Sequence, residues 1–200
     1  MSSIHRSRRR VLRRSPMADE INELAASYDW PVVYEAQPSK SKGYEVNWGI
    51  TPTLVLGYLE SNISNDCCVV AVGAEAEAAE LVIERIDEEL AAEIEPVDSL
   101  LATIQAGADS DARELARGLV RAGFGAPLEC HPEFFSAFSA AVRDHPEPRV
   151  RDIAIASLVF MEWPEFKPVL DEVVVSEPDP QIRERATRVV AAYDASGLQG

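Results

Sequence analysis

Lysine is almost missing from this 200-residue chain: Lys40, Lys42 and Lys167 are the three lysines among 19 basic residues, and the other 16 are arginine. Cysteine is scarce too. Cys67 and Cys68 are adjacent and Cys130 is far away; an odd number without framework spacing excludes a disulfide scaffold and suits a reducing, cytoplasmic setting. Histidine occurs at positions 5, 131 and 145 alone. Cys130-His131 is therefore short of the four ligands of a zinc site and of a spatially assigned base for a thiolate. No glycine-rich phosphate loop or paired-carboxylate motif occurs, and no apolar run approaches the roughly 20 residues of a membrane-spanning helix. The expectation is a chain with no catalytic, cofactor-binding or metal-binding residues, and no membrane partner.

What is present is acid. The net charge is -15, although residues 1–16 carry Arg6, Arg8, Arg9, Arg10, Arg13 and Arg14 and no acid. Setting those six positive charges aside leaves about -21 on residues 17–200, a body that repels nucleic acid and attracts a basic protein. Ser7-Arg8-Arg9-Arg10-Val11-Leu12-Arg13 has the look of a twin-arginine export motif, but the apolar stretch such a signal needs does not follow it. Residues 1–16 are thus expected to be a disordered basic leader, with Met17 an alternative start.

From Met17 the pattern turns regular. Ile21, Leu24, Ala25 and Tyr28 recur at helical spacing. The period then becomes two: Val32–Ala36, then Tyr44, Val46, Trp48 and Ile50 against polar alternates, then Leu54, Leu56 and Tyr58, and finally the nearly all-apolar Cys67–Val72. Links of hairpin length, 37–43 and 62–66 among them, predict a four-stranded antiparallel sheet. Ala79, Val82, Ile83, Ile86 and Leu90 line a long helix that can cover it together with the N-terminal helix. Residues 17–95 read as an α+β unit.

From Pro96 the chain is helical throughout: 98–105, a segment starting at Asp109-Ser110 and ending at Gly123 or Gly125, then 132–143, 148–162, 164–175 and 180–195. Three segments superimpose within it. They are Asp111-Ala112-Arg113-Glu114-Leu115-Ala116, Arg149-Val150-Arg151-Asp152-Ile153-Ala154 and Gln181-Ile182-Arg183-Glu184-Arg185-Ala186, each following a turn rich in Asp, Glu or Pro. The shared arginine recurs at 113, 151 and 183.

This pattern resembles HEAT repeats, in which an aspartate or proline turn is followed by apolar-Arg-x-x-Ala at the start of the inner helix. The chain looks like the small HEAT-repeat-containing proteins of actinobacteria. That resemblance implies a short α-solenoid of about three hairpins over 96–195, with 196–200 a tail. It also implies structural roles for Arg113, Arg151 and Arg183, which bond neighbouring turns, and for Ala116, Ala154 and Ala186, small where helices approach closely.

The function expected is a non-catalytic module that binds a protein partner. A narrower version is an immunity or antidote protein neutralising a basic toxin; a rival is an enzyme with a pocket in the α+β unit around Trp48, Tyr58 and Cys68. Candidate partner-binding residues are Trp48, Trp163 and Phe166 as aromatic anchors and Glu80, Glu84, Asp87 and Glu88 as an acidic ridge.

Overall fold

The structure, a computed structural model, describes residues 4–39, 43–62, 64–108 and 111–195. The expected helix start at Asp109-Ser110, the centre of the 37–43 link and the 196–200 tail lie outside the described residues. The chain forms two compact units, Met1–Glu95 and Pro96–Gly200. Among the described residues it is a mixed α+β protein of eight helices and one six-stranded antiparallel sheet.

In the first unit, strands β1 (His5–Arg6) and β2 (Arg10–Val11) precede helix α1 (Ala18–Ser27). Strands β3 (Val32–Ala36), β4 (Glu45–Thr51), β5 (Leu54–Glu60) and β6 (Cys67–Gly73) follow, then helix α2 (Ala76–Glu89). The sheet order is β1-β6-β5-β4-β3, with β2 also paired to β6. Alternation puts Val46, Trp48, Leu56, Tyr58, Val69 and Ala71 in one core with Ile21 and Ala25 of α1 and Ile83 and Ile86 of α2. The β4–β5 hairpin begins at a point that demands glycine: a Cβ on Gly43 would sit 1.7 Å from the Glu60 carbonyl oxygen.

The leader departs from expectation. Residues 5–12 are ordered, and they convert the expected four strands into six. His5 and Arg6 pair with Gly73 and Val72, and Arg10 and Val11 pair with Val69 and Cys68. Ser7 donates its N–H to the Ala71 carbonyl at 2.9 Å and accepts the Ala71 N–H at 3.0 Å. Val11 and Leu12 are fully buried. The physical reason lies in β6. A strand apolar on both faces belongs inside a sheet, and only the leader supplies it with a second neighbour.

The second unit contains α3 (Val97–Ala108), α4 (Ala112–Gly125), α5 (Pro132–Asp144), α6 (Pro148–Met161), α7 (Lys167–Ser176) and α8 (Pro180–Ala195). The stretch expected to start a helix at Pro164 is first a 3-10 turn, Pro164–Phe166. Neighbours in sequence pack as hairpins (α3 with α4, α5 with α6, α7 with α8), while α4 touches α6, α6 touches α8, and α5 touches both α3 and α7. Asp111 caps α4, accepting the N–H groups of Arg113 at 2.8 Å and Glu114 at 2.9 Å. Of the two expected stops, Gly125 ends α4 and Gly123 does not. Gly123 sits inside the helix where a Cβ would stand 3.1 Å from the Ser157 carbonyl oxygen, so its lack of a side chain sets the α4–α6 distance.

Candidate interaction surfaces

The repeated arginines make one geometry twice. Arg151 donates from Nη1 to the carbonyls of His145 (2.8 Å) and Pro146 (3.3 Å), six and five residues back. Arg183 donates from Nη1 to the carbonyls of Glu177 (2.5 Å) and Pro178 (3.0 Å), at the same offsets. Each guanidinium therefore satisfies carbonyls of the turn that precedes its own helix. Glu177 joins the two sets: Nε and Nη2 of Arg151 reach its Oε2 and Oε1, both at 2.8 Å, and it also accepts the Asp179 N–H at 3.0 Å. Those hydrogen bonds, Arg151's foremost, hold the Glu177 carboxyl below the usual range even though burial opposes them. Arg113, expected to act alike, does not repeat this side-chain geometry among the described residues: at the start of α4 it is its backbone N–H that Asp111 holds. Ala116, Ala154 and Ala186 are all buried.

The proposed aromatic anchors are interior residues, which removes them as surface contacts. Trp48 is 1% exposed and donates its indole N–H to Asn22 Oδ1 at 3.1 Å. Trp163 is 1% exposed, donates to the Pro127 and Leu128 carbonyls at 3.1 and 3.2 Å, and stacks on the fully buried Phe166 with ring centroids 5.6 Å apart. Phe135 and Phe138 close on Phe166 from α5 at 5.0 and 6.4 Å. These rings fill the space between α5, the 3-10 turn and α7. Each indole N–H finds an acceptor, a side-chain oxygen for Trp48 and backbone carbonyls for Trp163.

The expected acidic ridge is open only in part. Glu80, Glu84 and Glu88 are exposed on α2, but Asp87 is taken by the leader. Nε and Nη2 of Arg10 clasp its two oxygens, each at 2.6 Å, with the Arg10 side chain 10% exposed. Arg8 lies among the same charges, and its pKa is lowered to about 10 by burial and then by the Arg10 charge. Two arginines read as a free arm thus neutralise part of the acid expected to meet a partner.

All three thiols lie above their ordinary range. Burial pushes Cys68 up to about 12 and raises Cys67, whose Sγ donates to the Arg14 carbonyl at 3.2 Å. Cys130 is raised by burial and by the neighbouring Glu165 carboxylate. Among the described residues, no group of three or more His, Cys, Asp or Glu could hold a metal ion, and no helix is long and apolar enough to cross a membrane.

Two clefts in the helical unit were invisible in the sequence. One, about 390 Å³, lies between the C-terminal ends of α5 and α7, where Arg143 pairs with Glu172 at 2.8 Å. The other, about 370 Å³, is an apolar furrow bordered by Ile104 of α3, Leu115 of α4 and Ala137, Ala140 and Ala141 of α5. Asp144, His145 and Pro146 border both clefts. Both volumes fall in the range of ligand clefts, about 300–1,000 Å³. His145 accepts the Glu147 N–H on Nδ1 at 3.1 Å, which places the proton of the neutral ring on Nε2.

No protein-family model, curated protein or solved structure matches this chain.

Proposed function

We propose that this chain is a non-catalytic protein-interaction module whose helical unit is a short HEAT-like stack of three hairpins and whose first unit is an α+β accessory. The observation that carries the reading is the arginine geometry. Arg151 and Arg183 stand 32 residues apart and bind turn carbonyls at identical offsets, the signature of a structural unit used more than once. Helix contacts that run α4 to α6 to α8 on one side and α3 to α5 to α7 on the other support the same architecture. Thiols held in their protonated form favour binding over nucleophilic chemistry. A reducing cytoplasm suits three free cysteines.

The test is recovery of the tagged chain from its native cells, identification of retained proteins, and reconstitution of the complex from purified components. A stoichiometric complex, formed equally by the wild type and by a Cys130→Ala/His131→Ala/His145→Ala variant, is the expected result. Failure of every recovered candidate to re-form a complex with the wild type overturns the reading. A small-molecule turnover lost in the triple variant does so as well.

A further inference from the structure

The furrow between α3 and α5 exists because of what α5 offers to it. Ala137, Ala140 and Ala141 fall at helical spacing on the face turned to α3, whereas the contact of α5 with the 3-10 turn is filled by Phe135 and Phe138 against Phe166. Interiors are close-packed elsewhere in such stacks, so the alanines leave room for an apolar side chain of another molecule. Ile104 and Leu115 form a floor, at 4% and 5% exposure.

Asp144 adds a second, independent observation. It is the last residue of α5, where the negative end of the helix dipole disfavours a carboxylate. It is exposed, and its side chain has no hydrogen bond or ion pair among the described residues. Arg143, next to it, is already paired with Glu172. An uncompensated acid at the wrong end of a helix, on the rim of an apolar furrow, is a position that an external cation would stabilise.

We infer that this furrow docks a basic amphipathic segment of a partner protein, with a large apolar side chain between α3 and α5 and a lysine or arginine on Asp144. Charge complementarity selects the partner: a chain at -15 draws basic segments and repels acidic ones. The inference rests on the interaction-module reading and specifies its docking site.

The experiment uses the full chain and two fluorescein-labelled 18-residue model helices, one of Leu and Lys and one of Leu and Glu in the same pattern. Binding is read by polarisation at about 0.3 M NaCl, where the Debye length is roughly 6 Å and long-range attraction is screened. The Leu/Lys helix is expected to bind saturably and at least about tenfold more tightly than the Leu/Glu helix. Ala137→Leu fills the furrow with another good helix former; it is expected to weaken binding about tenfold or more with the melting temperature unchanged or raised. Asp144→Lys suits a helix C-terminus and is expected to cut the preference for the Leu/Lys helix about fivefold or more. Ala140→Leu repeats the filling test, should Ala137→Leu fold poorly.

Equal binding of the Leu/Lys helix by wild type and both filled variants overturns the furrow and leaves the module reading standing, since the contact is then elsewhere. No saturable binding, while a reconstituted native complex persists, also overturns the furrow alone. Self-association of the wild type that Ala137→Leu abolishes would put a second copy in the furrow and overturn the basic-segment proposal.

Discussion

Arg151 serves two purposes at once, closing the turn before its own helix and holding Glu177 of the next turn. Their side chains are 11% and 5% exposed, so this is a desolvated pair, and removing one partner leaves the other charge buried. Glu177→Ala is expected to cost about 3 kcal/mol in urea unfolding, whereas Glu172→Ala, which removes an exposed partner of Arg143, is expected to cost less than about 1 kcal/mol. The pH dependence follows from the direction of the Glu177 shift. Its carboxyl lies below the usual 4.5 in the fold, so the unfolded chain takes up the proton first as pH falls. The stabilisation is present above the usual value and is lost as pH drops through the folded one. A denaturation series from pH 6 downward should show this loss in the wild type and a flatter profile in Glu177→Gln. Trp163 makes a second case. With its ring stacked on Phe166 and its N–H bonded to two carbonyls, Trp163→Ala is expected to cost about 3–5 kcal/mol. An exposed anchor would cost almost nothing, so a change below about 1 kcal/mol would overturn its placement.

At the scale of elements, the leader strands make the sharpest prediction. A chain starting at Met17 would lose β1 and β2, leave one side of β6 without a partner, and remove Val11 and Leu12 from the core. Those two side chains alone are worth about 3–6 kcal/mol of burial, and an open apolar edge invites aggregation. Urea unfolding should give a lower midpoint for the shortened chain, and amide exchange should quicken in β6; superimposable curves for the two chains would contradict the pairing. The four longer strands and the main helices could be read from the sequence because periods of two and 3.6 persist over whole segments such as 45–51 and 76–89. Two-residue strands have no period to detect. Six arginines in 16 residues masked them, because the partners that tame the charge, Asp87 and Glu93, lie some 80 residues away. The 3-10 turn at 164–166 escaped for a related reason: Pro164 starts a first turn equally well in either helix type.

For the whole molecule, charge dominates. A net -15 over 200 residues destabilises the folded state through self-repulsion, which salt screens. The melting temperature is expected to rise by several degrees between about 10 mM and about 300 mM NaCl; scanning calorimetry checks it, and a fall would show that the leader's ion pairs outweigh the repulsion. By itself the sequence determined the division between sheet and helices, the faces that become core, and the sign of the surface. Each of those rests on spacing or composition within a few turns of chain. Only the tertiary structure decided that the leader completes the sheet, that Trp48, Trp163 and Phe166 are interior, that Asp87 is occupied, and that α3 and α5 leave a furrow. Each of these depends on pairs distant in sequence, and local periodicity carries no information about which distant group arrives to bury a ring, pair a charge or leave a gap.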